Sequence, residues 1–191
     1  MAGSENKSVL GNDNPKALSS FMSVASLQVG DILLSTTEGF VSDAVKATTR
    51  SKFSHARLYI GGNEVIEAID PEVVRKPVNL AIENDNYTHV YRYPNLTDVQ
   101  QAAIVNYAKS QDGKEYDLSG ALSAPNITSI YPPSLLSKLY NLHDSEFDFY
   151  CSELVAFSYK SAGIRLEFAA SQTTPEDLAV NKKLKYIGRL K

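Results

Sequence analysis

The chain has 191 residues, 43% hydrophobic and 21% charged, with a formal net charge of −3. That composition reads as soluble and globular, and the length suits one domain with a real core, or a domain plus a tail. The charge argues against nucleic acid as the main partner. A single cysteine rules out an internal disulfide framework and is compatible with a reducing compartment.

Met1 to about Ser20 is rich in Ser, Asn, Gly and Lys and is expected to be a flexible tail, drawn here as 1–24. Residues 25–191 are expected to form a single domain. No basic-then-apolar leader pattern is visible, so the chain is expected to be cytoplasmic as synthesised, leaderless secretion being the alternative. No apolar run approaches a membrane span, so no stable membrane insertion is expected.

Phe21 to Ala25 suggests a short helical turn, and Val29-Gly30-Asp31 a turn that launches a short buried strand, Ile32 to Ser35. Glu38 to Arg50 reads as a helix with Phe40, Val41, Ala44 and Val45 on one side. Ser54 to Ile60 and Glu64 to Ile69, joined by Gly61-Gly62-Asn63, predict a β-hairpin. Val73 to Val78 adds an edge strand limited by Pro77, and His89 to Tyr93 a further strand. Thr97 is set to cap a helix over Asp98 to Ser110, and Asp112-Gly113 closes it. Gly113 to Asp117 is a turn. Leu118 to His143, with Pro125, Pro132 and Pro133, is irregular and reads as a pocket-lining insert, with one short helix over Ser134 to Asn141. A helix opening at Cys151 follows, stopped by Gly163. A short helix has Thr174 as cap and Pro175 first, and Leu184 to Gly188 is the last strand. This order favours an α+β domain with a mostly antiparallel sheet.

The residues with chemistry begin with Cys151, inside Asp148-Phe149-Tyr150-Cys151-Ser152-Glu153-Leu154-Val155. In the first turn of a helix, unpaired N–H groups and the helix dipole favour a thiolate. The alternative is a buried structural cysteine. Thiol catalysis also needs an imidazole in reach and a group to orient it. Of three histidines, His143 lies in the irregular insert and is expected to be a surface residue, and His89 opens a strand, where a structural role is expected. His55 starts the hairpin, and pairing across Gly61 to Asn63 brings Glu67 opposite residues 56 to 58, near His55 if both share a face. A Glu inside Val-Ile-Glu-Ala-Ile needs a partner or the solvent face. One cysteine and three dispersed histidines lack zinc-ligand spacing, and no Gly-rich phosphate loop is present, so no metal and no cofactor are expected.

Gly30-Asp31-Ile32-Leu33-Leu34, Phe53-Ser54-His55-Ala56-Arg57-Leu58-Tyr59-Ile60-Gly61, Val65-Ile66-Glu67-Ala68, Gly113-Lys114-Glu115-Tyr116-Asp117 and Tyr150-Cys151-Ser152-Glu153-Leu154-Val155 follow in that order. With these motifs the chain resembles the circularly permuted papain-like cysteine amidases, the YiiX-like branch of the NlpC superfamily, related to lecithin:retinol acyltransferase. The resemblance covers roughly Leu27 to Leu178. Ordinary papain-like enzymes place the cysteine before the histidine; here His55 precedes Cys151, the mark of permutation. The resemblance implies a permuted papain-like fold with the nucleophile helix packed on the sheet. It implies Cys151 as nucleophile, His55 as general base and acid, and Glu67 as the orienting residue. Tyr116 matches the family's Tyr-Asp turn, and with Tyr150 it is assigned to substrate binding; Glu153 is assigned to the helix start or to packing.

The expected activity is hydrolysis of an amide bond in a short peptide or cell-wall fragment, a peptidoglycan stem peptide leading. Alternatives are a lipid esterase or acyltransferase using the same residues, a leaderless antibacterial effector, and a binding module without turnover. The sequence carries no signal for oligomeric state.

Overall fold

A computed structural model describes residues 21–36, 52–69, 72–114, 148–166 and 173–191. The expected helix from Glu38 to Arg50, the insert from Leu118 to His143 and most of the expected tail lie outside them.

The strands are β1 (Ile32–Thr36), β2 (His55–Gly61), β3 (Glu64–Ile69), β4 (Glu72–Pro77), β5 (Tyr87–Arg92) and β6 (Lys185–Arg189). They form one sheet in the order β4-β3-β2-β1-β5-β6, with every neighbouring pair antiparallel. The α+β expectation is met. The hairpin turns where expected: Gly61, Gly62 and Asn63 all take positive φ, at 87°, 63° and 65°. Two glycines and an asparagine are the residues that enter this region at least cost. Tyr59 pairs with Val65 and Leu58 with Ile66, which sets Glu67 across from Arg57. β4 is an edge strand ending at Pro77, where a residue without an N–H costs no ladder bond.

Successive strand residues point to opposite faces. Ile32, Leu34, Ala56, Leu58, Ile66 and Ala68 belong to a core shared with the two longer helices. Leu33, Tyr59, Val65 and Val90 belong to a second core. The helix α1 (Val78–Ala81) closes that second face with Val78, Ala81 and Ile82. The sequence pattern carried the edge strand through Val78; instead the chain leaves the sheet at Pro77, because Val78 and Ala81 are spaced to bury one side of a helical turn. At the N-terminal end the expected turn is a 3-10 turn, Val24–Ser26, capped by Ser23. Upstream of it, Phe21 bridges to Arg189 and the Met22 N–H donates to the Arg189 carbonyl at 2.6 Å.

Helix α2 (Asp98–Ser110) starts at the expected cap. The Thr97 hydroxyl accepts from the Gln100 N–H, and the Gln100 side chain accepts from the Thr97 N–H. Helix α3 (Asp148–Ser161) packs against α2, β2 and β3. It was expected to open at Cys151. It starts at Asp148, which makes Cys151 its fourth residue, still in the first turn. The Tyr159 hydroxyl donates to the Gly30 carbonyl at 2.5 Å, tying the far half of α3 to the entry of β1. Helix α4 (Pro175–Ala179) carries the Thr174 cap and leading proline read from the sequence. Among the described residues no helix is long and apolar enough to cross a membrane.

Candidate active site

His55 is the first residue of β2 and Glu67 the fourth of β3. The register places both on the face that carries Leu33 and Val65, and the two side chains meet there. His55 Nε2 lies 2.8 Å from Glu67 Oε2, with each side chain about 1% exposed. An ionised carboxylate only accepts, so the shared proton sits on Nε2 and the lone pair on Nδ1. Nδ1 is buried and has no hydrogen-bond partner among the described residues. A ring held through one nitrogen, with the other left able to accept, is the form a general base requires.

Glu67 does not face His55 alone. Arg57, two residues along the same face of β2, donates from Nε to Glu67 Oε2 at 2.6 Å. Lys76, on β4, reaches Oε1 at 3.1 Å. The Arg57 guanidinium also donates from Nη1 to Ser35 Oγ at 2.7 Å, and from Nη1 and Nη2 to the two oxygens of Asp85 at 2.9 and 3.2 Å. The Thr88 hydroxyl completes Asp85 at 2.6 Å. All but Lys76 are buried. Burial alone pushes the Glu67 carboxyl up. The His55 hydrogen bond and the charges of Arg57 and Lys76, joined by that of His55 whenever its ring is protonated, outweigh it and hold the group well below the usual carboxylate range.

Acid stability should report that balance. A carboxylate with a lowered folded pKa contributes stability that is complete above its unfolded value, near 4.5, and is lost as pH falls towards the folded value. Below about pH 4.5, wild type should therefore lose unfolding free energy more steeply than Glu67→Gln in urea titrations. Parallel curves would show that Glu67 is not held ionised by its neighbours.

Cys151 comes from the other layer. It is fully buried in the first turn of α3, in the core that contains Phe53, Ala56, Ala68 and Leu154. Ala56 and Ala68 are the strand neighbours of His55 and Glu67 and point to the opposite face. His55 opens β2, so its ring stands at the end of the sheet rather than along its middle. The structure thus joins His55 to Glu67 directly and brings Cys151 onto the same two strands from across the sheet. Tyr116 and the side chain of Tyr150 lie outside the described residues. Glu153 is half-buried, and burial pushes its carboxyl up to about 7; two positions along a helix it points away from Cys151. His89 sits among Phe53, Tyr87 and Tyr186, with ring centroids 5.2–5.3 Å away, which fits the structural role expected of it.

Arg57, Asp85 and Lys76 were not singled out from the sequence. For Arg57 a signal exists: it alternates in phase with His55 on a strand otherwise apolar, and a buried guanidinium there needs an acid. Asp85 lies in a connection with no local pattern to distinguish it.

Three comparisons bear on the site. The family model described as "Permuted papain-like amidase enzyme, YaeF/YiiX, C92 family" matches residues 26–131, a span that includes His55, Arg57, Glu67 and Asp85. "Probable lipoprotein peptidase YaeF" of Escherichia coli strain K12 is 24% identical over 201 residues, covering 86% of this chain and 71% of that protein. A crystal structure titled "metalloprotein yiiX" from Escherichia coli O157:H7 superposes with a TM-score of 0.59 at 20% identity, over 84% of this chain and 96% of that one. The last similarity concerns the fold. The metal in that title is said of that protein; among the described residues of this chain no group of three or more His, Cys, Asp or Glu side chains could hold a metal ion.

Proposed function

The chain belongs to the permuted papain-like amidase family of the YaeF/YiiX type, and on that premise we propose that it is a cysteine hydrolase that cleaves an amide bond in a short peptide. The observation that carries the reading is the His55–Glu67 hydrogen bond with Nδ1 left without a partner. In this mechanism His55 Nδ1 takes the Cys151 thiol proton, and the sulfur attacks the amide carbon. The C–N bond breaks as Nδ1 returns the proton to the leaving amine, leaving an acyl-enzyme. A water molecule, deprotonated by the same nitrogen, then releases the acid and regenerates the thiol. The N–H groups of the first turn of α3 supply positive potential where negative charge develops. The mechanism requires Sγ and Nδ1 to meet around the end of β2. Tyr116 and Tyr150 are proposed as substrate-contacting residues on the strength of the motif resemblance.

A peptidoglycan stem peptide is the leading substrate: the family is one of amidases, and the named relative is called a peptidase. The test incubates wild type and Cys151→Ala with purified peptidoglycan fragments and, separately, with phospholipid vesicles, with products read by mass spectrometry. New amino and carboxyl ends on the peptide, absent with Cys151→Ala, are expected. Release of fatty acid or lysolipid without peptide cleavage would overturn the peptide reading in favour of a lipid esterase.

A further inference from the structure

Glu67 Oε2 accepts from two donors at once, His55 Nε2 at 2.8 Å and Arg57 Nε at 2.6 Å. The second donor is itself held on three sides, by Ser35 and both oxygens of Asp85. A guanidinium is a planar fork with no freedom to follow one acceptor without leaving the others. Its position is therefore set by β1 and by the connection before β5, and Glu67 is set by it. We propose that Arg57 is a positioning residue of this site, which through the Ser35–Asp85 clamp aims the Glu67 carboxylate at His55 Nε2 and so keeps the imidazole lone pair on Nδ1. The inference deepens the hydrolase reading and rests on it for its catalytic meaning, but the geometry it describes is measurable without turnover.

The charges agree with this role. The charged groups that meet at Glu67 beside the imidazole are Arg57 from β2, Lys76 from β4 and, through Arg57, Asp85 from the connection before β5; α3, with Cys151 in its first turn, packs on β2 and β3 from the other layer. Two carboxylates are matched by two cations, so with a neutral ring the cluster carries no net charge. Burial lowers the Arg57 pKa and the pairing with Glu67 and Asp85 raises it by more, so the guanidinium stays charged. Without Arg57, Glu67 would keep His55 on Oε2 and the half-exposed Lys76 on Oε1, and no rigid donor would fix the rotation of the carboxylate about its last bond.

The test is the tautomer of His55, read from nitrogen-15 chemical shifts of the neutral ring in labelled protein, with His55→Ala assigning the resonance. Wild type should show the Nε2–H form alone. Arg57→Gln should show both tautomers. Arg57→Lys, which keeps the cation and one donor towards Glu67, should restore the Nε2–H form in whole or in large part. Because Arg57→Gln leaves Asp85 without its cation, Arg57→Gln combined with Asp85→Asn is made as well; it removes the clamp with no net change in charge and should also show both tautomers. A single Nε2–H tautomer in the folded double variant would overturn the proposal, since Glu67 would then be aimed without Arg57. In parallel, iodoacetamide labelling of Cys151 at pH 7 should slow about tenfold in Arg57→Gln or the double variant and recover in Arg57→Lys. A residue that only held the fold would lower the melting temperature and leave tautomer and labelling alone. If wild type shows no Cys151-dependent hydrolysis while the tautomer responds as stated, the hydrolase reading fails and the positioning role stands; the reverse outcome fails the positioning role alone.

Discussion

Cys151→Ala is expected to lower peptide hydrolysis by roughly a thousandfold or more, since an acyl-enzyme route has no substitute for the sulfur. The fold should survive. Cys151 is fully buried, and losing one sulfur atom from a packed core leaves a cavity costing about 1 kcal/mol. Loss of activity with a small change in melting temperature therefore separates chemistry from folding. His55→Ala should fall in the same class. Glu67→Gln should be milder: an amide oxygen can still accept from Nε2, but it brings no negative charge to stabilise an imidazolium. The measurements are kcat and kcat/KM on the released peptide, with thermal melts alongside. Hydrolysis by Cys151→Ala at the wild-type rate would remove the cysteine from the mechanism.

Asp85→Ala should be among the most destabilising changes available outside the apolar core, at about 3–5 kcal/mol. The carboxylate is buried and accepts from Arg57 twice and from Thr88 once. Its removal takes the carboxylate from two of the buried guanidinium's nitrogens, and leaves Glu67 on Nε as the one carboxylate remaining among the described residues for a cation that cannot neutralise itself. The contrasting pair is Arg75–Asp112, shorter at 2.6 Å but with side chains 43% and 29% exposed. There solvent screens the attraction, and Asp112→Ala should cost less than about 1 kcal/mol. Urea midpoints for the two variants decide between burial and contact distance as the source of the effect. Equal costs would mean that the Arg57 network is not under the desolvation its burial implies.

The parts legible in the sequence were those fixed by local rules. Gly61-Gly62-Asn63 fixed the hairpin, the hairpin fixed the register, and the register put Glu67 beside His55. Thr97 and Thr174 marked helix starts because their hydroxyls satisfy N–H groups three residues on. The start of α3 was placed late because Asp148, Phe149 and Tyr150 show no helical apolar spacing of their own. The partners of Glu67 were not legible for a different reason. Asp85 reaches Arg57 across 28 positions and Ser35 reaches it across 22, and no short-range pattern encodes which acid a buried cation will meet. The layer to which each residue belongs was also hidden: alternation says that His55 and Ala56 face opposite ways, but only the packing of α3 says which face the cysteine approaches.

The separation along the chain between β2 and α3 also sets an order of assembly. The hairpin that holds His55 and Glu67 is closed by a turn of a few residues, which forms quickly, within about 1–10 μs. The helix that brings the sulfur to it is encoded about a hundred residues later, and closing so long a loop carries several kcal/mol of entropy that only the finished interface repays. On a ribosome His55 and Glu67 are therefore made long before the thiol emerges. If Cys151 is the nucleophile proposed above, a nascent chain is inert until α3 docks, and a pulse of thiol-reactive probe during refolding should find an ordinary cysteine first and an activated one last.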